Sequence, residues 1–328
     1  MQVVITGGAG MLGKKLAREL LKRGQLAGPG GKLELIERLL LMDVAAAPDL
    51  PKDPRVIFVA GQIYDDQLIR RVIAPGTGSV FHFAAVVSAG AEADFDLGYR
   101  VNLDGTRVVL EACRALPTPP RLVFTSSVAV YGGDMPEVIP DGQPLTPQTS
   151  YGAQKAMGEL LINDHSRKGY VDGRSLRLPT IVVRPGKPNL AASTFASSII
   201  REPLSGQDAI CPVAPETMMP LLSPRRTVDA FIRAHEMPAE AWGANRSLML
   251  PSLDVSVLEM ADALKRVAGA DAYHRIKWQI DPRIQKIVAT WPGRLDSRRA
   301  RTMGFESDRS MDAIIQAFIE DDLRPNAG

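Results

Sequence analysis

Tyr151 and Lys155 stand four residues apart in the stretch TSYGAQKAMGELL, residues 149–161. On a helix that spacing puts both side chains on one face. A phenol of ordinary pKa, about 10, is a poor base at neutral pH, and a neighbouring ammonium favours its phenolate. Such a pair can take the proton of an alcohol as hydride leaves the carbon. A Tyr and a Lys four apart also occur by chance, so the surrounding sequence has to decide.

A second chemical stretch opens the chain. Val3 to Ile5 read as a strand and run into Thr6-Gly7-Gly8-Ala9-Gly10-Met11-Leu12-Gly13, with Leu12, Leu16 and Leu20 following at helical spacing. Strand, glycine loop and helix together hold a pyrophosphate. Gly7 permits the tight turn, Gly10 lets phosphate approach the backbone and Gly13 lets the helix lie close to the sheet, while the helix N-terminus at Met11 and Leu12 supplies amide donors. A ribose-binding acid is expected at the end of the next strand, commonly about 20 residues on. Asp43 comes 30 residues after Gly13, the excess being the insertion GQLAGPGG at 24–31. A carboxylate there accepts ribose hydroxyls and repels a 2′-phosphate, and Val44 follows it rather than Arg, so NAD is expected over NADP.

The elements that must position these groups are short apolar runs at 3–5, 39–42, 56–59, 80–83, 122–124 and 180–183, separated by helical stretches. That rhythm predicts an α/β fold with a doubly wound parallel sheet, a Rossmann domain over 1–183. Val101, Val108, Val109 and Ala112 line one face of a further helix, and helices are expected near 255–268 and 310–322. From residue 184 prolines break the rhythm, which predicts a smaller substrate lobe over 184–328, with segments near 222–250 returning to the first domain.

The 328 residues carry a net charge of only +2, which provides no field favouring nucleic acid or an anionic membrane. Arg275 to Arg301 is rich in basic residues around Trp278 and Trp291 and reads as a solvated face whose tryptophans pack inward. Cys113 and Cys211 have no disulfide or metal spacing, and no metal is expected. No leader or apolar run of membrane length, about 18 residues, is visible, so a soluble cytoplasmic protein is expected. His82, between Phe81 and Phe83, reads as a core histidine.

VFHFAA at 80–85, VNLDGT at 101–106, TSSVAVYGG at 125–133 and SYGAQK, in that order after the glycine loop, resemble the extended short-chain dehydrogenase/reductase family. The resemblance implies a catalytic tetrad of Asn102, Ser127, Tyr151 and Lys155. Ser127 would hold the substrate oxygen, Lys155 the nicotinamide ribose, and Asn102 a water relaying protons to Lys155. It also implies cofactor contacts at Gln62, Ile63, Ala84, Ala85 and Pro179, and a homodimer through the helices beginning near Tyr99 and Tyr151. The family often has Asp where Gln62 stands in VAGQIYD. Members acting on sugar nucleotides hold the diphosphate with an Arg where LLSPRRTVDAF here places Ser223, which puts that anchor in doubt. Ser88, Thr180, Arg184 and Asn189 form a set suited to a small polyol acid, a guanidinium clamping its carboxylate; Arg184 as a surface ion stays open, and Arg225 and Arg226 are weaker candidates. With AAVVSAGAEADFDLGYRVNLDGT, STFASSIIREPL and WPGRLDSRRARTMGF added, the chain is similar to the D-erythronate dehydrogenase branch of that family. This implies NAD-dependent oxidation at C2 of a four-carbon sugar acid. A sugar-nucleotide epimerase or dehydratase that retains its NAD, and a dinucleotide-sensing protein without catalysis, are the alternatives.

Overall fold

Strands apolar on both sides need cover on both faces, and in the computed structural model, which describes residues 1–186 and 193–323, the first five of these runs join one seven-stranded sheet. Its strands are β1 (Gln2–Thr6), β2 (Arg38–Asp43), β3 (Val56–Ala60), β4 (Thr77–His82), β5 (Arg121–Ser127), β6 (Asp172–Leu178) and β7 (Ser247–Met249). They lie in the order β7-β6-β5-β4-β1-β2-β3, and the five from β5 to β3 pair in parallel. The chain order reverses between β1 and β4. The carboxyl ends of those two strands therefore open the crevice where such sheets take their ligands.

One expected strand is corrected. The sixth is not 180–183 but Asp172–Leu178, and only Thr180–Ile181 of the expected run is extended, in a separate three-stranded sheet. The reason lies in DGRSLRL, where Arg174, Ser175 and Arg177 are buried. Arg174 donates to the Asp172 carboxylate at 2.6 Å and to the Met237 carbonyl at 2.9 Å. A buried charge with such partners is tolerated, and a search for apolar runs does not see it.

The chain divides into two compact units. The first comprises 1–130, 147–177 and 228–248 and carries the large sheet; the second comprises 131–146, 178–227 and 249–328. The division expected at 183 thus falls at 177, and residues 131–146 go with the second unit. In the first, Val4, Leu40, Val80, Val109, Leu122, Phe124 and Ile162 share one core. In the second, Met218–Leu222 pairs with Thr180–Ile181 and with Leu253–Ser256. The expected helices are Val257–Ala268 and Met311–Phe318, both built into that unit's core, and Trp278 and Trp291 pack against it as expected. The insertion at 24–31 contains a strand, Gln25–Ala27, that pairs antiparallel with Leu33–Leu35.

The glycine loop closes on itself. Gly7 has φ +69°, and a Cβ there would lie 2.8 Å from the Ala84 amide nitrogen. A Cβ on Gly13 would collide with the Gly7 carbonyl oxygen. Gly13 therefore lets the loop fold over the first turn of helix Met11–Arg23, a closer constraint than packing on the sheet. In an exposed helix Gly→Ala stabilises by about 1 kcal/mol; here the sign should reverse. Gly13→Ala is expected to cost about 1–3 kcal/mol in chemical denaturation, whereas Gly30→Ala, which meets nothing within 4 Å, should leave the midpoint in place.

Candidate active site

Helix Met11–Arg23 begins at Gly10, which has no side chain to cap it, so the amides of its first turn stay available to an anion. Asp43 ends β2. Its Oδ2 accepts from the Ala9 amide at 3.1 Å and its Oδ1 from the Val44 amide at 2.8 Å. Each oxygen retains a lone pair, so the acid is tied to the loop and can still accept ribose hydroxyls. The Gly7 cradle, the uncapped helix end and this carboxylate fit a dinucleotide. Ile63 is buried in the core of the first unit and Gln62 is exposed just beyond β3, while Ala84 crosses directly over Gly7.

Tyr151 and Lys155 lie in helix Ser150–Arg167, capped by Thr149 Oγ1, which accepts from the Gly152 amide at 3.1 Å. The helix starts hard against the turn after Ser127: a Cβ on Gly152 would collide with the Ala129 carbonyl. Ser127 closes β5, and its Oγ accepts from the Ala129 amide at 3.1 Å. The fold thus brings the elements bearing Ser127 and Tyr151 together. Lys155 is 2% exposed, with Nζ 4.7 Å from the centre of the Phe124 ring and 5.5 Å from that of Tyr151. Burial pushes its ammonium down from 10.5 to about 7, with the Glu159 carboxylate opposing.

Asn102 lies in a π-helical stretch, Tyr99–Asp104, and is 3% exposed. Its carboxamide pairs with both main-chain groups of Val86, at 2.8 and 2.9 Å, and donates to Gln154 Oε1 at 2.7 Å. Its carbonyl accepts from Thr106 Oγ1 at 2.6 Å. That bond fixes a chain of proton positions. Having given its only hydrogen to a carbonyl, Thr106 Oγ1 must accept from His82 Nε2, 3.0 Å away. His82 Nδ1 then accepts from Thr6 Oγ1 at 2.7 Å, whose oxygen accepts from the Phe83 and Ala84 amides. The tautomer follows from this network. His82 is the satisfied core histidine expected, and burial together with the Lys155 cation pushes it down to about 3. Sequence reasoning gave Thr6, Thr106, Phe124 and Gln154 no supporting role, although all four lie within stretches singled out there.

The remaining expected residues divide between the units. Ser88 starts a short helix in the first. Pro179 is buried in the second, where Thr180 pairs with Leu221. Arg184 donates from Nε to the Ile181 carbonyl at 3.0 Å and reaches Ser193 Oγ at 3.4 Å. Arg225 is committed to Glu320 and Asp321, and Arg226 lies 3.4 Å from Glu306. Asn189 lies outside the described residues. Ser223 is buried and bound through N and Oγ to the Asp308 carboxyl, both at 2.7 Å. Among the described residues no group of three or more potential ligands could hold a metal ion.

A phosphate loop, an acid on the next strand and a lysine-backed tyrosine define a class of dinucleotide-dependent enzymes working on alcohols and ketones. The sequence profile of the NAD-dependent epimerase/dehydratase family matches residues 3–245, and the chain belongs to that family. It is 55% identical over 321 residues to the D-erythronate dehydrogenase of Cupriavidus necator, covering 98% of each chain. It is 45% identical to that of Haemophilus influenzae, covering 98% of this chain and 100% of the relative. A solved structure of the nucleoside-diphosphate-sugar epimerase from Agrobacterium tumefaciens superposes with a TM-score of 0.92 at 42% identity, covering 98% of this chain and 94% of that one.

Lys155 binds its proton less tightly folded than unfolded, so between about pH 7 and pH 10.5 the unfolded chain holds more protons and stability rises with pH. Below that window the folded protein carries the cost of a buried cation. Lys155→Met is therefore expected to raise the thermal midpoint of the cofactor-free protein more at about pH 6 than at about pH 10, measured against the wild type. An equal effect at both would contradict the assignment.

Proposed function

We propose that this protein oxidises the C2 hydroxyl of D-erythronate to 2-oxo-tetronate with NAD. The observation carrying the reading is the buried Lys155 beside Tyr151 on the helix that abuts Ser127, in a chain more than half identical to a D-erythronate dehydrogenase. When bound, NAD supplies the hydride acceptor. The glycine loop with Met11 and Leu12 would hold its diphosphate, Asp43 its adenosine ribose, and Gln62, Ile63, Ala84, Ala85 and Pro179 would line its path. Tyr151 takes the hydroxyl proton, Lys155 favours the phenolate and binds the nicotinamide ribose, and Ser127 orients the substrate oxygen. Asn102, fixed by Val86, Gln154 and Thr106, supports the water that returns protons to Lys155. Ser88, Thr180, Arg184 and Asn189 are read as the substrate contacts, a guanidinium being suited to clamp the carboxylate of a small acid. The likeness to a nucleoside-diphosphate-sugar epimerase favours a second reading, in which NAD is retained. Ser223 speaks against it: the position read as the diphosphate anchor holds a hydroxyl bound to Asp308.

The protein is further read as a cytoplasmic homodimer. Both cysteines are buried free thiols, which suits a reducing compartment. Among the described residues no helix is long and apolar enough to cross a membrane. Phe95 is 58% and Leu160 68% exposed, on the segments expected to form the dimer face.

With D-erythronate and NAD, reduced nicotinamide should accumulate stoichiometrically with product, and Tyr151→Phe should lower kcat by roughly 10²–10⁴ with little change in KM. Turnover of a nucleotide sugar without net reduction would favour the second reading instead. Leu160→Glu is expected to halve the molar mass measured by light scattering; an unchanged mass would move the interface elsewhere.

A further inference from the structure

Glu159 lies one helical turn beyond Lys155 and is 3% exposed. Its carboxylate is gripped from two strands. Oε1 accepts from Ser126 Oγ at 2.5 Å and from Arg177 Nε at 2.9 Å, and Oε2 accepts from Arg177 Nη2 at 2.6 Å. Ser126 immediately precedes Ser127 on β5, and Arg177 lies on β6. One carboxylate thus joins the strand end bearing Ser127 to the helix bearing Tyr151 and Lys155. A fork-to-fork guanidinium pair fixes its orientation as well as its charge.

The groups around Lys155 are otherwise poor in negative charge. Its own helix contributes Tyr151 and Glu159, β5 contributes the Phe124 ring, β4 contributes His82, which the hydrogen-bond chain holds neutral, and Arg177 on β6 stands behind Glu159. We propose that Glu159, clamped by Arg177 and Ser126, is a positioning residue that supplies the counter-charge keeping Lys155 cationic and ties the Ser127 strand end to the catalytic helix. The proposal rests on Tyr151 and Lys155 being the catalytic pair. With Glu159 neutral, both groups lose protons more readily, Lys155 more so because it is one turn away rather than two. When the pair has lost one proton, its population shifts from phenolate and ammonium toward phenol and amine.

The test is a nitrogen-15 NMR titration of lysine-labelled protein without cofactor or substrate, with the Lys155 signal assigned by its loss in Lys155→Met. Glu159→Gln is expected to lower the Lys155 midpoint by about one unit. In assays its kcat plateau should fall and the rising limb of the pH profile should move to lower pH, with KM nearly constant. A residue that only braces the fold would lower kcat without moving the limb. Glu159→Asp, which keeps the charge, should restore most of both. If Glu159→Gln fails to fold because Arg177 is left as a lone buried cation, the double variant Glu159→Gln/Arg177→Met removes both charges and should still lower the midpoint. An unchanged midpoint in whichever of these folds would overturn the proposal. A shifted midpoint with full activity in Tyr151→Phe would instead overturn the catalytic reading and leave the charge relation standing.

Discussion

An ammonium withdrawn from water is the constraint around which the first unit is arranged. Lys155 sits 2% exposed against the face of Phe124, and an aromatic quadrupole recovers only part of the hydration a lysine loses. Its surroundings must therefore add negative charge and avoid further cations. Glu159 supplies the first one turn later, His82 is kept neutral by a hydroxyl on each ring nitrogen, and the nearby Arg177 guanidinium is itself paired with Glu159. An imidazolium at that place would compete with Lys155 for the same little stabilisation.

Keeping His82 neutral also joins two parts of the site. Thr6 ends β1 and leads into the glycine loop, His82 ends β4, and Thr106 reaches back to the carbonyl of Asn102 in the π-helical stretch. Strands β1 and β4 are neighbours because the sheet reverses its order there. The reversal that opens the ligand crevice thus also lets one hydrogen-bond chain run from the phosphate loop to Asn102. Each link has a single donor direction, so a displaced link leaves a buried polar group unsatisfied rather than merely longer. The loop and the Asn102 segment are in this sense held to one geometry.

Legibility in the sequence followed the physics of each element. Strands β1 to β5 could be read because their runs are apolar on both faces, and the glycine loop because its spacing answers to sterics seen at Gly7, while the Gly13 contact is with the loop and not, as expected, with the sheet. Strand β6 could not be read, since it is buried on both faces and these carry Arg174 and Arg177; Asp172 lies beside Arg174 on the same strand, but the partners Met237 and Glu159 lie elsewhere in the chain. The π-helical stretch leaves no trace in periodicity, because one shifted turn changes no residue type. Glu159 left only the bare fact of standing four residues after Lys155. What makes it more than a surface acid is Ser126 and Arg177 converging on it.

The same distinction bears on substrate. In the first unit, the groups read as carrying the proton chemistry are ones that the core itself fixes. In the second unit, two residues read as substrate contacts are committed locally, Thr180 to a strand and Arg184 partly to Ile181, and Ser223, at the place of the diphosphate anchor, is bound to Asp308 and to the Arg226 amide. A carboxyl group buried at Ser223 is poor company for a diphosphate, because two anions brought together in a desolvated place repel strongly. It imposes no comparable penalty on a small acid held at a different position by a guanidinium. On this reading, a four-carbon acid is preferred over a nucleotide sugar less through an attractive contact than through the Asp308 carboxyl held at Ser223.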